Sequence, residues 1–246
     1  MRIYVIGHRG YIGRSLYEYL ENKGYDVRGI GRGHELQMGF KHTDVVVNCA
    51  CAGWMDGTED DKRGIIESNI ILPMRLHDRS NGAVLIHLSS GIEDVQPLHF
   101  YSRTKGVASE LLKGKAHVLY LYAVYGNQYC QPSRFMGSLM RACKDGTPYT
   151  IHTPMHTRDF VHIDTLLELI EGLLEDREFK TLHVGSGVPV RFVDALAHLE
   201  SIAGKVFPNI SVDMEEQSHF RYCAPEPCLQ YTLREDMKKE WERLNA

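Results

Sequence analysis

The chain has 246 residues, 43% of them hydrophobic, enough to bury the core of one large domain or one and a half. Its net charge of -4 gives no electrostatic attraction to nucleic acid or to an anionic membrane surface. No apolar run approaches the roughly 20 residues that cross a bilayer, and Met1-Arg2 leads into a strand-like run rather than a signal peptide, so a cytoplasmic protein is expected.

Arg2 to Ile6 is an apolar, β-branched run that ends at Gly7. His8, Arg9, Gly10, Tyr11, Ile12 and Gly13 follow, then an amphipathic stretch with Leu16, Tyr19 and Leu20 that stops near Gly24. The pattern predicts strand, glycine-rich turn and helix. Such a turn lets backbone approach a pyrophosphate and points helix-terminal N–H groups at it, so Gly7, Arg9, Gly10, Tyr11, Ile12 and Gly13 are candidate dinucleotide contacts. The second strand is expected at 26–30, ending in Gly31-Arg32-Gly33. An acidic residue at that strand end would bond the adenosine ribose hydroxyls of NAD. Gly31 stands in its place with Arg32 beside it, which suits a 2′-phosphate, so NADP(H) is favoured, NAD(H) remains an alternative, and Arg9 is a candidate helper. A plain solvated loop arginine is the other reading of Arg32.

Val45 to Asn48 is a continuous apolar strand of the kind buried in a parallel sheet. Cys49, Ala50, Cys51, Ala52 and Gly53 follow, small residues against which a cofactor could lie. A helix is expected from about 60 to 79, with Ile65, Ile66, Ile70 and Leu76 on its apolar side and Asn69 among them. The next strand, 83–88, delivers Ser89-Ser90. Tyr101 and Lys105 then share one face of a helix that ends around Gly114. An ammonium beside a phenol favours the phenolate, which makes Tyr101 a candidate proton donor or acceptor with Ser90 free to hold a substrate oxygen. The spacing alone proves little, because Tyr19 and Lys23 repeat it.

A strand at 117–122 completes a repeated strand-helix pattern, which argues for an α/β, doubly wound parallel sheet. Beyond Gly126 the character changes. A helix is expected from Pro132 to Gly146, a strand at 149–152, an amphipathic helix at 166–174, a strand at 181–184, a helix at 192–204 and a charged terminal helix at 233–244. The six cysteines include no Cys-x-x-Cys pair and the 13 histidines no ligand spacing, so reduced thiols and no metal site are expected.

Taken together, these residues resemble the extended short-chain dehydrogenase/reductase family, specifically its nucleotide-sugar epimerases, dehydratases and reductases. The likeness runs from Arg2 to about Gly204. It rests on Gly7-x-x-Gly10-x-x-Gly13, Asn48-Cys49-Ala50, Ser90, Tyr101-x-x-x-Lys105, Tyr125-Gly126, Arg158-Asp159-Phe160-Val161-His162 and His183-Val184-Gly185-Ser186-Gly187. The resemblance implies a Rossmann domain over 1–126 with parts of 155–190, and a small mixed α/β substrate cap from 127–154 and 190–246. It implies catalysis by Ser90, Tyr101 and Lys105, a cofactor site of Gly7, Arg9, Gly10, Tyr11, Ile12, Gly13, Arg32, Cys49, Ala50, Cys51, Asn69, Tyr101 and Lys105, and a substrate site of Ser90 and Arg158. Arg158 would grip the sugar nucleotide's diphosphate; a salt bridge to Asp159 or Asp164 is the alternative.

Departures from the family narrow the reaction. Dehydratases of this group carry Asp-Glu after the catalytic hydroxyl residue, where this chain has Gly91-Ile92, so dehydration is not expected. Epimerase-reductases of the GDP-fucose type carry a cysteine there. The Ser90–Tyr101 loop and the cap are both short. The expected activity is NADP-dependent reduction of a nucleotide-linked keto-sugar, a 4-keto-6-deoxy intermediate, by a homodimer. A sugar epimerase working by transient oxidation and a non-catalytic NADP-binding regulatory protein are the alternatives.

Overall fold

Strand β1 (Ile3–Ile6) is buried along its whole length, as are β3 (Val45–Asn48) and nearly all of β4 (Val84–Ser90). Each Val or Ile so buried contributes about 1.5–3 kcal/mol, and continuous apolar runs are what a parallel sheet covered on both faces requires. The computed structural model describes residues 1–31, 39–53, 59–92, 99–127, 134–215, 220–229 and 232–246. Its contacts divide the chain into two units, Met1–Leu121 with Leu166–Leu182, and Tyr122–Thr165 with His183–Ala246. No helix among the described residues is long and apolar enough to cross a membrane.

The fold is α/β with a six-stranded parallel sheet, whose strands belong to the first unit apart from His183 and Val184 at the end of the last one. With β2 (Val27–Ile30), β5 (His117–Leu121) and β10 (Thr181–Val184), the strand order is β10-β5-β4-β3-β1-β2. The chain steps from β1 outward to β2, then returns to place β3 on the other flank of β1. That reversal opens a crevice at the carboxyl ends of β1 and β3, where ligands of such sheets bind. Register sets Ile6 beside Asn48 and Asn48 beside His87, so Gly7, Cys49 and the end of β4 emerge together.

Helix α1 (Tyr11–Asn22) follows the glycine turn and buries Gly13, Ser15, Leu16 and Leu20. The helix expected from 60 to 79 is interrupted: α2 (Glu59–Ile66) passes through one π-helical turn, Glu67–Ile71, into α3 (Leu72–Asp78). Pro73 accounts for the break. It has no N–H to give the Asn69 carbonyl, and its ring crowds that carbonyl. The Leu72 N–H reaches back to Glu67 O instead, the five-residue spacing of a π turn. Helix α4 (Phe100–Leu112) is bound to β4 by Ser109 Oγ donating to Ser89 Oγ at 2.7 Å.

The second unit is built on helices α5 (Phe135–Asp145), α7 (Phe192–Ala203) and α8 (Leu233–Asn245), with short strand pairs beside them. In one pair, β6 (Ala123–Tyr125) runs parallel to β9 (Phe160–His162). Its core stacks Phe135 on Phe192 at 3.8 Å and adds Leu139, Met140, Phe160, Leu199 and Met237. The terminal helix is anchored by a buried pair, His162 Nε2 and Glu240 Oε2 3.1 Å apart, and by Arg243 on Asp164 at 2.7 Å.

Candidate active site

The glycine turn is closed by the Gly10 N–H donating to Gly7 O at 2.9 Å. Gly7 has φ of 78°, and a Cβ there would stand 2.8 Å from the Ala50 nitrogen. A Cβ on Gly13 would stand 2.3 Å from Gly7 O. Both glycines are therefore required by protein packing against protein. Gly10 is different: among the described residues its Cβ would meet only Gly7 O, at 3.4 Å, so packing does not require a glycine there. A turn of this shape, cleared of side chains at the head of a helix, fits the pyrophosphate of a dinucleotide.

At the end of β2, a Cβ on Gly29 would fall 2.5 Å from the His8 ring, and one on Gly31 would lie 3.9 Å from both His8 Cε1 and Arg9 Cζ. Two basic side chains thus gather where a carboxylate was sought. His8 escaped the sequence reading, because only the strand pairing brings Gly29 under it. Arg32 lies outside the described residues.

Lys105 is 2% exposed and donates from Nζ to Leu88 O at 2.7 Å, which ties its helix to the strand that ends in Ser90. An ammonium has three donors, so further N–H groups remain for a ligand. Tyr101, one turn earlier on the same face, sets its hydroxyl 3.3 Å from Cys51 Sγ. Ser90 Oγ accepts the Ile92 N–H at 3.4 Å. Asn69, on the π turn, is fully buried. Its amide bonds Ala52 N and Ala52 O, each at 3.0 Å, and Thr104 Oγ1 at 3.1 Å. Thr104 in turn donates to Tyr101 O at 2.8 Å. Asn69 therefore fastens the segment after β3 to the first turns of the Tyr101 helix.

Beneath this layer, Asn48 Oδ1 accepts the Ala50 N–H and Asn48 Nδ2 meets His87 Nδ1, both at 3.1 Å. Burial, reinforced by the Lys105 ammonium, holds His87 well below the usual imidazole range, so it is neutral.

In the second unit, Arg158 lies between three rings, with its Cζ 4.6 Å from the Phe220 centroid, 5.3 Å from Phe192 and 5.6 Å from Tyr222. Burial lowers its guanidinium to about 10, opposed by Tyr222, and it is still a cation at neutral pH. Its two candidate salt-bridge partners are engaged elsewhere. Asp159 accepts from the Ser186 and Gly187 N–H groups, and Asp164 accepts from Arg243. Arg158 donates to Thr157 O at 2.9 Å. A stacked cation with donors in hand suits an anion.

The second Tyr-x-x-x-Lys spacing has a structural occupation. Glu171 accepts from Tyr19 at 2.7 Å, Lys23 at 2.6 Å and Tyr25 at 3.1 Å, pinning α1 to the segment near 171.

Residues 3–185 match the NAD dependent epimerase/dehydratase family. The chain belongs to that family. Among solved structures, MoeE5 in complex with UDP-glucose and NAD is similar at 20% identity and a TM-score of 0.79, with 100% of this chain and 99% of that one covered. The UDP-glucuronic acid 4-epimerase of Bacillus cereus, as a Y149F mutant with NAD, is 19% identical with a TM-score of 0.75 over 100% and 99% of the chains. A dTDP-4-dehydrorhamnose reductase ortholog of Clostridium acetobutylicum is 16% identical with a TM-score of 0.78 over the whole of both chains. At these identities the likeness is one of fold. Membership of the family makes the chain one of the NAD-dependent oxidoreductase and epimerase enzymes.

Proposed function

We propose that the protein is an NADP-dependent reductase of a nucleotide-linked keto-sugar, a 4-keto-6-deoxy intermediate. The observation that carries this reading is the pairing of His8 and Arg9 over Gly31, where an NAD enzyme would need a carboxylate. Cells keep the phosphorylated cofactor reduced, which favours net reduction. Gly7, Gly10, Tyr11, Ile12 and Gly13 would hold the pyrophosphate, Arg9 and Arg32 the 2′-phosphate, and Cys49, Ala50 and Cys51 the floor beneath the cofactor. Asn69 would act through Ala52, and Lys105 would hold the nicotinamide ribose. The domain over 1–126 with parts of 155–190 would bind the cofactor, and the remainder would cap the substrate. When bound, NADPH supplies the hydride that goes to the carbonyl carbon. Tyr101 gives its phenolic proton to the carbonyl oxygen, Ser90 donates a hydrogen bond to the same oxygen, and Lys105 stabilises the phenolate left behind. Arg158 would bind the diphosphate.

Incubation with 4-keto-sugar nucleotides should oxidise NADPH stoichiometrically, place deuterium from labelled NADPH at C4 of the product, and use NADH less well. An epimerase working by transient oxidation is the second reading, supported by the family match and by the fold shared with a 4-epimerase. Interconversion of two sugar nucleotides with no change in NADPH absorbance would establish it and sink the reductase.

A cytoplasmic homodimer is proposed as the working form. Val107 and Leu111 are 45% and 43% exposed one turn apart on α4, an apolar stripe that a second copy would cover. Sedimentation should give a dimer, and Val107→Glu with Leu111→Glu a monomer; a monomeric wild type would refute the proposal.

A further inference from the structure

Among the buried titratable groups the proposed chemistry does not use, His87 is joined most directly to the site. It lies on β4, 0% exposed, in register with Asn48 of the neighbouring strand. The Ala50 N–H points at Asn48 Oδ1, so the Asn48 amide is oriented and must present Nδ2–H to His87. His87 Nδ1 is then an acceptor. A neutral ring that accepts at Nδ1 carries its proton on Nε2, and that nitrogen is buried without a partner among the described residues. Leaving a buried donor unsatisfied is costly, and an apolar residue would avoid the cost. What the histidine does in return is hold Asn48.

We propose that His87 is a positioning residue for the dinucleotide: through Asn48 it locks the turn at Ala50, the backbone on which Gly7 of the glycine turn is seated.

The geometry gives each link a task. Asn48 ends β3 with a side chain that bonds backbone two residues on, a local turn that competes with further strand. Rotation of that amide would release the Ala50 N–H, and the His87 ring blocks the rotation by accepting from the other end. Ala50 in turn is the surface that Gly7 meets, since a Cβ on Gly7 would be 2.8 Å from its nitrogen and 2.9 Å from its Cα. Because Nδ1 is committed and the ring is neutral, His87 is not the acid or base of the reaction.

This inference rests on the reading that NAD(P) lies over the glycine turn. Its test uses cofactor titration, thermal melting and histidine NMR. His87→Leu, which removes the acceptor, should weaken cofactor binding about tenfold, the upper end for one neutral hydrogen bond, raising KM for the cofactor much more than it lowers kcat. His87→Asn, whose Oδ1 stands near the place of Nδ1, should restore most of the affinity. Asn48→Ala should match His87→Leu, and the double variant should lose no more than either. In the wild-type apoprotein, two-bond nitrogen-proton spectra should show His87 as the neutral Nε2–H tautomer at pH 7. That last readout stands even where a variant fails to fold. Wild-type affinity in His87→Leu, failure of His87→Asn to restore it, or an Nδ1–H tautomer would each overturn the inference while leaving cofactor binding intact. A wild type that binds neither NADPH nor NADH would overturn the reading beneath it as well.

Discussion

Tyr101→Phe is expected to fold and bind NADPH as the wild type does, yet to lose at least about 100-fold in turnover, the low end for general acid catalysis. The substitution keeps the ring and removes only the hydroxyl, which lies 3.3 Å from Cys51 Sγ. The nearby bonds that hold the helix in place run through Thr104, Lys105 and Ser109 and are untouched. Tyr19→Phe is the matched control, since it removes the same atom from the same spacing. Lys105 is 2% exposed and bound to a strand carbonyl. The Lys23 side chain is 45% exposed and salt-bridged to Glu171. Tyr19→Phe should therefore cost stability at the Glu171 clamp by about 1 kcal/mol or less and leave turnover unchanged. Single-turnover rates with saturating NADPH separate the two. Retained turnover in Tyr101→Phe would remove it from the chemistry and favour a non-catalytic, NADP-binding role.

What the chain discloses before folding is local. The run from Ile3 to Ile6, its glycine turn and the amphipathic helix after it are periodic over a few residues, and each formed near its expected place. The helical spacing that sets Tyr101 and Lys105 on one face is equally local. The break in the helix between Glu59 and Asp78 was hidden, although its cause, Pro73, is in plain sight. A proline that close to a buried Asn69 reads as a helix interrupted only once the Asn69 amide is seen to be held by Ala52 and Thr104. Long-range pairings were the least legible. His87 meets Asn48 only because β3 and β4 align in that register, and a one-residue slip of either strand would turn its side chain to the other face, away from its partner. Arg158 could be suspected of a salt bridge with Asp159 or Asp164, its neighbours in sequence. Phe220 and Tyr222, which box it in, lie more than sixty positions away.

The three glycines of the turn are expected to answer alanine in two ways. At position 13 the new Cβ would be 2.3 Å from Gly7 O and 2.9 Å from Gly7 C, backbone atoms that cannot rotate away. Gly13→Ala must push α1 off the turn, an overpacking that costs about 1–3 kcal/mol. In a chain of this size that is a fall of roughly 2–12 °C in the melting midpoint. At position 10 the new Cβ has 3.4 Å to Gly7 O and, among the described residues, nothing closer, and Gly10 already has φ of -77°, which alanine adopts freely. The poorer N-cap that alanine makes is offset by the smaller entropy of its unfolded chain, so Gly10→Ala should melt near the wild type. Yet position 10 is where a pyrophosphate would approach the backbone, and a methyl group there stands in its way. NADPH affinity should fall by roughly tenfold or more, the equivalent of one charge-assisted hydrogen bond, in a protein whose stability has not moved. Gly13→Ala should lose affinity and stability together. The discriminating result is the Gly10 variant: unchanged NADPH affinity there would mean that the phosphates do not lie on this turn, however well its shape suits them.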